Sequence, residues 1–376
     1  MSLYALRNES FTKIKIMFRV IAFIIVLLVF SIDLSAQTLE GVVRDAKTQE
    51  PINHAVVYLN GTTSHTVTNA DGAFKFVVKN AVNTNLIVSH VAYNEVSIAN
   101  PFTHIPGVIL LEEKENELTG AEVVAKKERY TRAQKMVAFR EQFLGETEAS
   151  KWCTIVNEDD IRLSYSSKTR TLTARSEVPI EVINSYLGYK VVFMLNDFAV
   201  KYSDRSINSA SVKFFKYEGS PLFTDLQSDS NEYRKRRDES YWSSSTYFLK
   251  NLVNNTLKNA KFQLFINNKE IFRSNDYITV EPEPFVIGQK LIRRRVILDR
   301  EAALGIPVNN IYGMPMYGYF RMVQNNYIES DVVFFTNSFS IDHYGNIDQI
   351  DKIMFTGSIG KQRLANMLPR DYAPNM

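Results

Sequence analysis

The sequence predicts a mainly β protein: a β-sandwich near the N-terminus followed by a larger β-rich α+β region. Three observations carry that expectation. Apolar runs between Gly41 and Val78 are about five or six residues long and alternate, which is strand length and strand period rather than helix length. Turn residues punctuate them at the spacing of a sandwich, about every eight to twelve positions. Phe and Tyr are abundant, 24 and 19 of 376 residues, which suits β-rich cores.

The elements follow in order. Val42 and Val43 open the first apolar run, and Asp45 to Pro51 is a polar turn. Ala55, Val57 and Leu59 alternate with Val56, Tyr58 and Asn60, and Asn60-Gly61 closes that strand. Asn69-Ala70-Asp71-Gly72 is a second turn, where Asp and Gly tolerate tight backbone. Phe74, Phe76 and Val78 then alternate with Ala73, Lys75 and Val77, which places one face in a core and leaves the other partly wet. Leu86-Ile87-Val88, Val91 to Ile98 and Val108 to Leu111 complete the set.

In this order Gly41, Val43, Asp45, Pro51, Ala55, Val57, Leu59, Gly61, Thr68, Asp71, Gly72, Phe74 and Phe76 resemble the carboxypeptidase regulatory-like domain. The resemblance runs from Thr38 to Leu111 and implies a transthyretin-like, seven-stranded β-sandwich. Such a domain accompanies metallocarboxypeptidases but carries no catalytic residues, so the resemblance implies no peptidase activity.

The start of the chain reads as a secretory signal peptide. Lys13, Lys15 and Arg19 precede the apolar run Val20 to Phe30, and Ser35-Ala36 supplies small residues for cleavage after Ala36. Met17 to Ala36 alone has the same order. The run is short of the ~20 residues a spanning helix needs, which disfavours a membrane anchor. The single cysteine, Cys153, lies far from the cleavage site and has no partner, so neither a lipoprotein nor an internal disulfide is expected. It sits in an apolar strand-like run and reads as a buried free thiol rather than a nucleophile. The expected organisation is a signal peptide over 1–36, the sandwich over 37–112, a charged linker over 113–129 with a strand at Leu118 to Ala125, and a β-rich α+β domain over 130–376.

Net charge is +3, and losing residues 1–36 removes four basic and two acidic residues, leaving +1. A near-neutral chain gives no electrostatic case for nucleic acid. Arg234-Lys235-Arg236-Arg237 and Arg293-Arg294-Arg295 are local exceptions, expected to be solvated faces, with an acidic partner or lipid headgroups as the alternative.

In the second region Tyr130 to Leu144 has helical spacing, with Ala133, Met136, Val137, Arg140 and Leu144 at steps of three and four, and Gly145 stops it. Strands are expected at Thr154–Val156, Ile161–Tyr165, Thr171–Ala174, Val178–Ile183, Lys190–Leu195, Phe198–Tyr202 and Val212–Tyr217, as an antiparallel sheet. Tyr247 to Leu257 is a second helix, with Ser243 to Ser245 available as caps. Strands return at Phe262–Ile266, Tyr277–Val280, Leu291–Leu298, Gly318–Val323, Val332–Phe335 and Phe339–Ile341.

Several pieces here resemble exported gram-negative proteins in which the same sandwich precedes a β-rich region. They are Arg140 to Thr147, Cys153 with Asn157-Glu158-Asp159, Leu187-Gly188-Tyr189-Lys190, Tyr217-Glu218-Gly219, Tyr241 with Ser244, Phe248-Leu249-Lys250, and Leu368-Pro369-Arg370-Asp371-Tyr372. In those proteins Gly-Ser and then His often precede the position of Phe248. Here Ser243-Ser244-Ser245 and Tyr247 stand instead, so any chemistry of that His is not available to this chain. The resemblance implies class and location only.

No catalytic, cofactor-binding or metal-binding residue set emerges, and no cofactor is expected. None of the five histidines, His54, His65, His90, His104 and His343, has Glu three residues on. Gly357-Ser358-Ile359-Gly360 lacks the spacing of a serine-hydrolase elbow, and no phosphate-binding loop is present. Glu158-Asp159-Asp160 lacks the ligand alternation of a calcium loop and reads as a solvated turn. The expected function is an exported, non-catalytic binding or structural protein of the cell envelope, in the periplasm or at the outer membrane. Its partner would be an envelope protein or a glycan or peptide ligand. Two other readings stay open: an envelope hydrolase with a site assembled from distant residues, and an outer-membrane β-barrel.

Overall fold

A computed structural model describes residues 37–78, 81–114, 129–227, 230–283, 293–299, 310–311 and 314–374. The expected signal peptide, most of the expected linker and the strand at Leu118 to Ala125 lie outside the described residues.

Seven strands build the sandwich: β1 (Gln37–Asp45), β2 (Val56–Leu59), β3 (His65–Val67), β4 (Ala73–Val78), β5 (Leu86–Ser89), β6 (Val96–Ile98) and β7 (Val108–Leu111). One sheet has the order β4-β1-β7, with β1 and β7 parallel, and the other β3-β2-β5-β6. The alternation read in the sequence sets their faces. Phe74, Phe76 and Val78 point into a core with Val43, Val57, Leu59, Leu86 and Leu111, while Val77 faces out. Asn69 makes the turn before β4 by accepting amides from Asp71 and Ala73, at 3.0 and 2.9 Å. Gly72 there has φ +71°, and a Cβ would strike the Val43 carbonyl.

Next comes α1 (Arg132–Leu144), opened by a capping box between Thr131 and Gln134 and stopped at Gly145, φ 104°. It packs on a sheet of β8 (Cys153–Ile155), β9 (Arg162–Ser166), β10 (Thr171–Arg175), β11 (Ile180–Asn184), β12 (Tyr189–Tyr202) and β13 (Val212–Asp225). The order is β8-β11-β12-β10-β9, with β13 along the other side of β12. The two strands expected at Lys190–Leu195 and Phe198–Tyr202 are one, with the register shifting between Leu195 and Asp197. A bulge lets one strand continue where alternation breaks. The strand expected to end at Tyr217 runs on to Asp225 through Gly219 and Pro221. Gly219 lies where a Cβ would collide with the Met194 carbonyl, and Pro221 is tolerated because β13 is an edge strand.

Helix α2 (Asn231–Trp242) was not expected, because its buried residues are polar: Arg237, Asp238 and Ser240, with Tyr241. Helix α3 (Ser245–Asn254) starts two residues before the expected helix, capped by Ser244, and ends before Leu257. Its apolar face enters a second core. The chain continues through β14 (Phe262–Ile266), β15 (Lys269–Ile271), β16 (Ile278–Pro282), β17 (Arg293–Leu298), β18 (Asn310–Ile311), β19 (Met314–Pro315), β20 (Gly318–Gln324), β21 (Ile328–Phe334), β22 (Ser338–Asp342) and β23 (Ile353–Thr356), then the short α4 (Gly357–Gly360), and all of these but the separate β18–β19 pair contribute to that core. The main sheets have orders β15-β14-β20-β21-β23 and β16-β17-β22. Residues 130–374 thus hold two large apolar cores, and the tail returns to the first through Leu364, Met367 and Leu368. No helix among the described residues is long and apolar enough to cross a membrane.

Thr38–Met376 form one compact unit. The face of β2 and β5 that carries Tyr58 and Ile87 is covered, since both pack on Leu222 and Val192. The loop after β2 also pairs with the free edge of β13: Gly61 N donates to Pro221 O at 2.7 Å, and Phe223 N to Thr62 O at 3.0 Å. An edge strand left bare would invite pairing with another chain, and this loop covers it.

Candidate ligand-binding cleft

Residues from the sandwich, the first sheet, α2 and the C-terminal tail converge at one place. The turn before β12 is built by Asn184, whose Oδ1 accepts the amides of Tyr186 and Leu187 at 3.1 and 2.9 Å. Its Nδ2 donates to Ala365 O at 2.9 Å, tying the turn to the tail. Gly188 has φ +71°, and a Cβ there would run into the Tyr233 ring. This leaves the Leu187 and Gly188 carbonyls facing α2.

Arg237 fills that position. It is only 5% exposed. Its Nε donates to Leu187 O at 2.7 Å and its Nη2 to Gly188 O at 3.1 Å. A two-point fork to Asp225 at 2.9 and 2.8 Å completes its bonding, and its Cζ lies 4.0 Å from the Tyr189 ring centre. Planar pairing of this kind suits Arg and not Lys. On the same helix, Asp238 accepts from the Tyr372 hydroxyl at 2.6 Å and Ser240 donates to Asn366 O at 2.9 Å.

The tail then crosses to the sandwich. Arg370 N donates to Gly61 O at 2.7 Å and its guanidinium to Asn83 O at 2.9 Å. Burial lowers the Arg370 pKa, and Asp342 partly restores it. Asp342 is fully buried and accepts three backbone amides, from Tyr344, Gly345 and Asn346, all at 2.9 Å. Its other oxygen takes the Asn83 amide at 2.8 Å and Asn346 Nδ2 at 3.0 Å. Asn346 also donates to Arg370 O at 2.9 Å, so Asp342, Asn346, Arg370 and Asn83 form one joint.

Pro369 and Asp371, on either side of Arg370, open onto a cleft of about 270 Å³. The sandwich contributes Thr63, the sheet Tyr189 and Asp225, α2 Arg234 and Arg237, and the tail Pro369, Asp371, Tyr372 and Ala373. Burial pushes up the pKa of Asp371, although backbone hydrogen bonds, one of them from Thr63, act against it. Burial also raises the Tyr189 hydroxyl, and it raises Tyr372 ahead of its bond to Asp238.

The structure therefore places three of the sequence pieces singled out by resemblance, Leu187-Gly188-Tyr189, Tyr241 with Ser244, and Leu368 to Tyr372, around α2. Tyr241 lies between Tyr372, 6.2 Å away, and Tyr247, 5.4 Å away, so the position that carries His elsewhere is here part of an aromatic contact. The expectation that both basic runs are solvated faces is corrected. Arg237 is buried, Arg236 stacks 4.8 Å over Tyr186, Arg293 pairs with Glu283 at 2.8 Å and reaches Asn100 of the sandwich, and Arg294 bonds Asn254. Arg234 stays exposed. The driving force is the set of carbonyls and carboxylates that surround these guanidinium groups.

The other candidates lie elsewhere. Cys153 is half-buried rather than buried, packs on the first core, and burial pushes its thiol up to about 12. The Glu158–Asp160 turn is a short 3-10 segment whose Glu158 carboxylate is forked by Arg140. None of the histidines lines the cleft. Among the described residues no group of three His, Cys, Asp or Glu is placed to hold a metal ion. Sequence reasoning missed Arg234, Arg237, Asp225 and Thr63 as cleft residues. The one signal available was that α2 is polar throughout and follows a Ser cap, at Ser230.

The CarboxypepD_reg-like domain family matches residues 39–125. That segment is a carboxypeptidase regulatory-like domain, and the region from α1 onward lies outside the match. No curated protein matches the chain.

Proposed function

We propose that this is an exported, non-catalytic binding or structural protein of the cell envelope, in which sandwich and β-rich region act together around the cleft. One observation carries the reading: the cleft is assembled from both regions, and the buried Arg237 and the half-buried Asp225 in its wall are spent on each other. A fully bonded guanidinium–carboxylate pair is a positioning device and offers no free base or nucleophile. Export is supported by the order of charge, apolar run and small residues before Gln37. The partner is an envelope protein or a glycan or peptide ligand.

The test is mild-detergent co-purification of the tagged protein from cell envelopes, beside a Thr63→Trp variant that fills the cleft. The expected result is a stoichiometric partner that the variant loses. A lone soluble monomer, or a partner retained by the variant, overturns the reading.

A further inference from the structure

We propose that the cleft binds a small dipolar molecule, carrying an ammonium group and a carboxylate, with the carboxylate on Arg234 and the ammonium on Asp371. The proposal rests on reading the cleft as a ligand site.

Two charged groups at the cleft are left unmatched. Arg237 and Asp225 satisfy each other at 2.8 and 2.9 Å. The Arg234 guanidinium is exposed and has no hydrogen bond or ion pair among the described residues. On the tail side, Asp371 Oδ1 is buried and has no hydrogen-bond partner among the described residues. An acceptor buried without a donor is costly, so an incoming N–H group there gains more than its own bond. Arg234 and Asp371 line the same space of about 270 Å³ and form no ion pair with each other, so a gap separates them.

Two neutral groups line the same space. Tyr189 is 3% exposed, lines the cleft, and its hydroxyl has no partner among the described residues. Thr63 adds a second hydroxyl from the sandwich. An unbonded hydroxyl at the cleft wall can donate to or accept from a ligand without breaking a bond inside the protein.

Charge then selects the class of ligand. A simple anion would satisfy Arg234 and face Asp371. A simple cation would satisfy Asp371 and face Arg234. Only a molecule with both charges leaves neither opposed, and an unpaired or opposed charge is a strong element of discrimination. The volume lies near the lower end of small-molecule sites, about 300–1,000 Å³, which suits an amino acid, a dipeptide or the end of a longer peptide.

Isothermal titration of the full chain tests this with alanine and Ala-Ala as zwitterions, and with their N-acetylated and C-amidated forms. The expected result is saturable binding of alanine or Ala-Ala, weakened at least about tenfold by capping either end, which is ~1.4 kcal/mol. Binding of alanine assigns a free amino acid, and binding of Ala-Ala alone assigns a peptide. R234Q and D371N should each lose at least tenfold. Y189F should lose affinity without loss of thermal stability, since that hydroxyl has no protein partner to forfeit. Absence of saturable heat with either zwitterion, or equal binding of the capped forms, overturns the proposal. So do variants that bind like the wild type. The wider cleft reading is judged separately: if Thr63→Trp releases the co-purified partner while zwitterions do not bind, only this inference falls.

Discussion

The sandwich and the joint behind it bury their surfaces in opposite ways. In the sandwich, Val43, Val57, Leu59, Phe74 and Phe76 meet side by side, and no directional bond is needed among them. In the joint and along α2 beside it, Arg237, Asp238, Ser240, Asp342 and Arg370 are held by individual hydrogen bonds to carbonyls, amides and carboxylates. Apolar burial is tolerant of shape and strong in sum, whereas a buried polar network is valuable only when every member is satisfied. The first sets the fold of a module. The second fixes how one module is seated on the next, and here it frames the cleft.

The largest effects should separate the two kinds of burial. Phe74→Ala removes a side chain that is 4% exposed and should cost about 3–5 kcal/mol in urea unfolding. Arg237→Ala should cost about 3 kcal/mol, the low end for a broken buried pair because Asp225 keeps 28% of its side chain exposed. The double change with Asp225→Ala should recover part of that loss, while no second apolar truncation should rescue Phe74→Ala. If the Arg237 and Asp225 losses simply add, the two do not act as a coupled pair.

This contrast also explains what the sequence could show. The sandwich was legible because alternation, as at Phe74, Lys75 and Phe76, is a direct record of which side chains face a core. Helix α1 was legible as a helix but only in part as a face: of Ala133, Met136, Val137, Arg140 and Leu144 only Met136 and Leu144 are buried, and Phe139 and Phe143 fill the core beside them. Helix α2 was not, because its inner face is Arg237, Asp238 and Ser240, residues that ordinarily signal solvent. Their burial depends on carbonyls at Leu187 and Gly188 and on a tail more than a hundred positions away in the chain. No local pattern records such partners. The long β13 was hidden likewise, since Gly219 and Pro221 mark turns in most contexts and here occupy an edge strand covered by Gly61 and Thr62.

Smaller changes sharpen the picture at single residues. Gly188→Ala should cost about 1–3 kcal/mol, since φ +71° is strained for alanine and the Tyr233 ring occupies its Cβ space. Tyr372→Phe removes one 2.6 Å bond and should cost about 1 kcal/mol while loosening the tail at the cleft. Both are read by thermal unfolding, with proteolysis of the tail as a second measure for Tyr372→Phe. A stable Gly188→Ala variant would mean that the turn can move without disturbing Arg237.

The smallest effect is a pH dependence at the seam. Glu95 of the sandwich accepts from the Ser220 hydroxyl of β13 at 2.6 Å, and the Tyr58 hydroxyl lies 3.4 Å from its other oxygen. Burial holds its carboxyl above the ordinary value, against the pull of the Ser220 and Tyr58 bonds and the charge of Lys114. The folded seam therefore keeps a proton that the unfolded chain releases. Below the ordinary carboxyl value both states are protonated and the seam carries no penalty. As pH rises from there through the raised value, stability falls, and above it the loss levels off. Asp371 shifts in the same direction and Asp45 in the opposite one, so the observable is the difference between wild type and Glu95→Gln rather than the wild-type curve alone. Glutamine keeps an acceptor for Ser220 and has no proton to lose. The variant should gain stability relative to wild type as pH rises and show no such gain in acid. A difference that does not change with pH would mean that Glu95 reaches water at the seam, and that the contact between sandwich and β13 is wetter than its hydrogen bonds indicate.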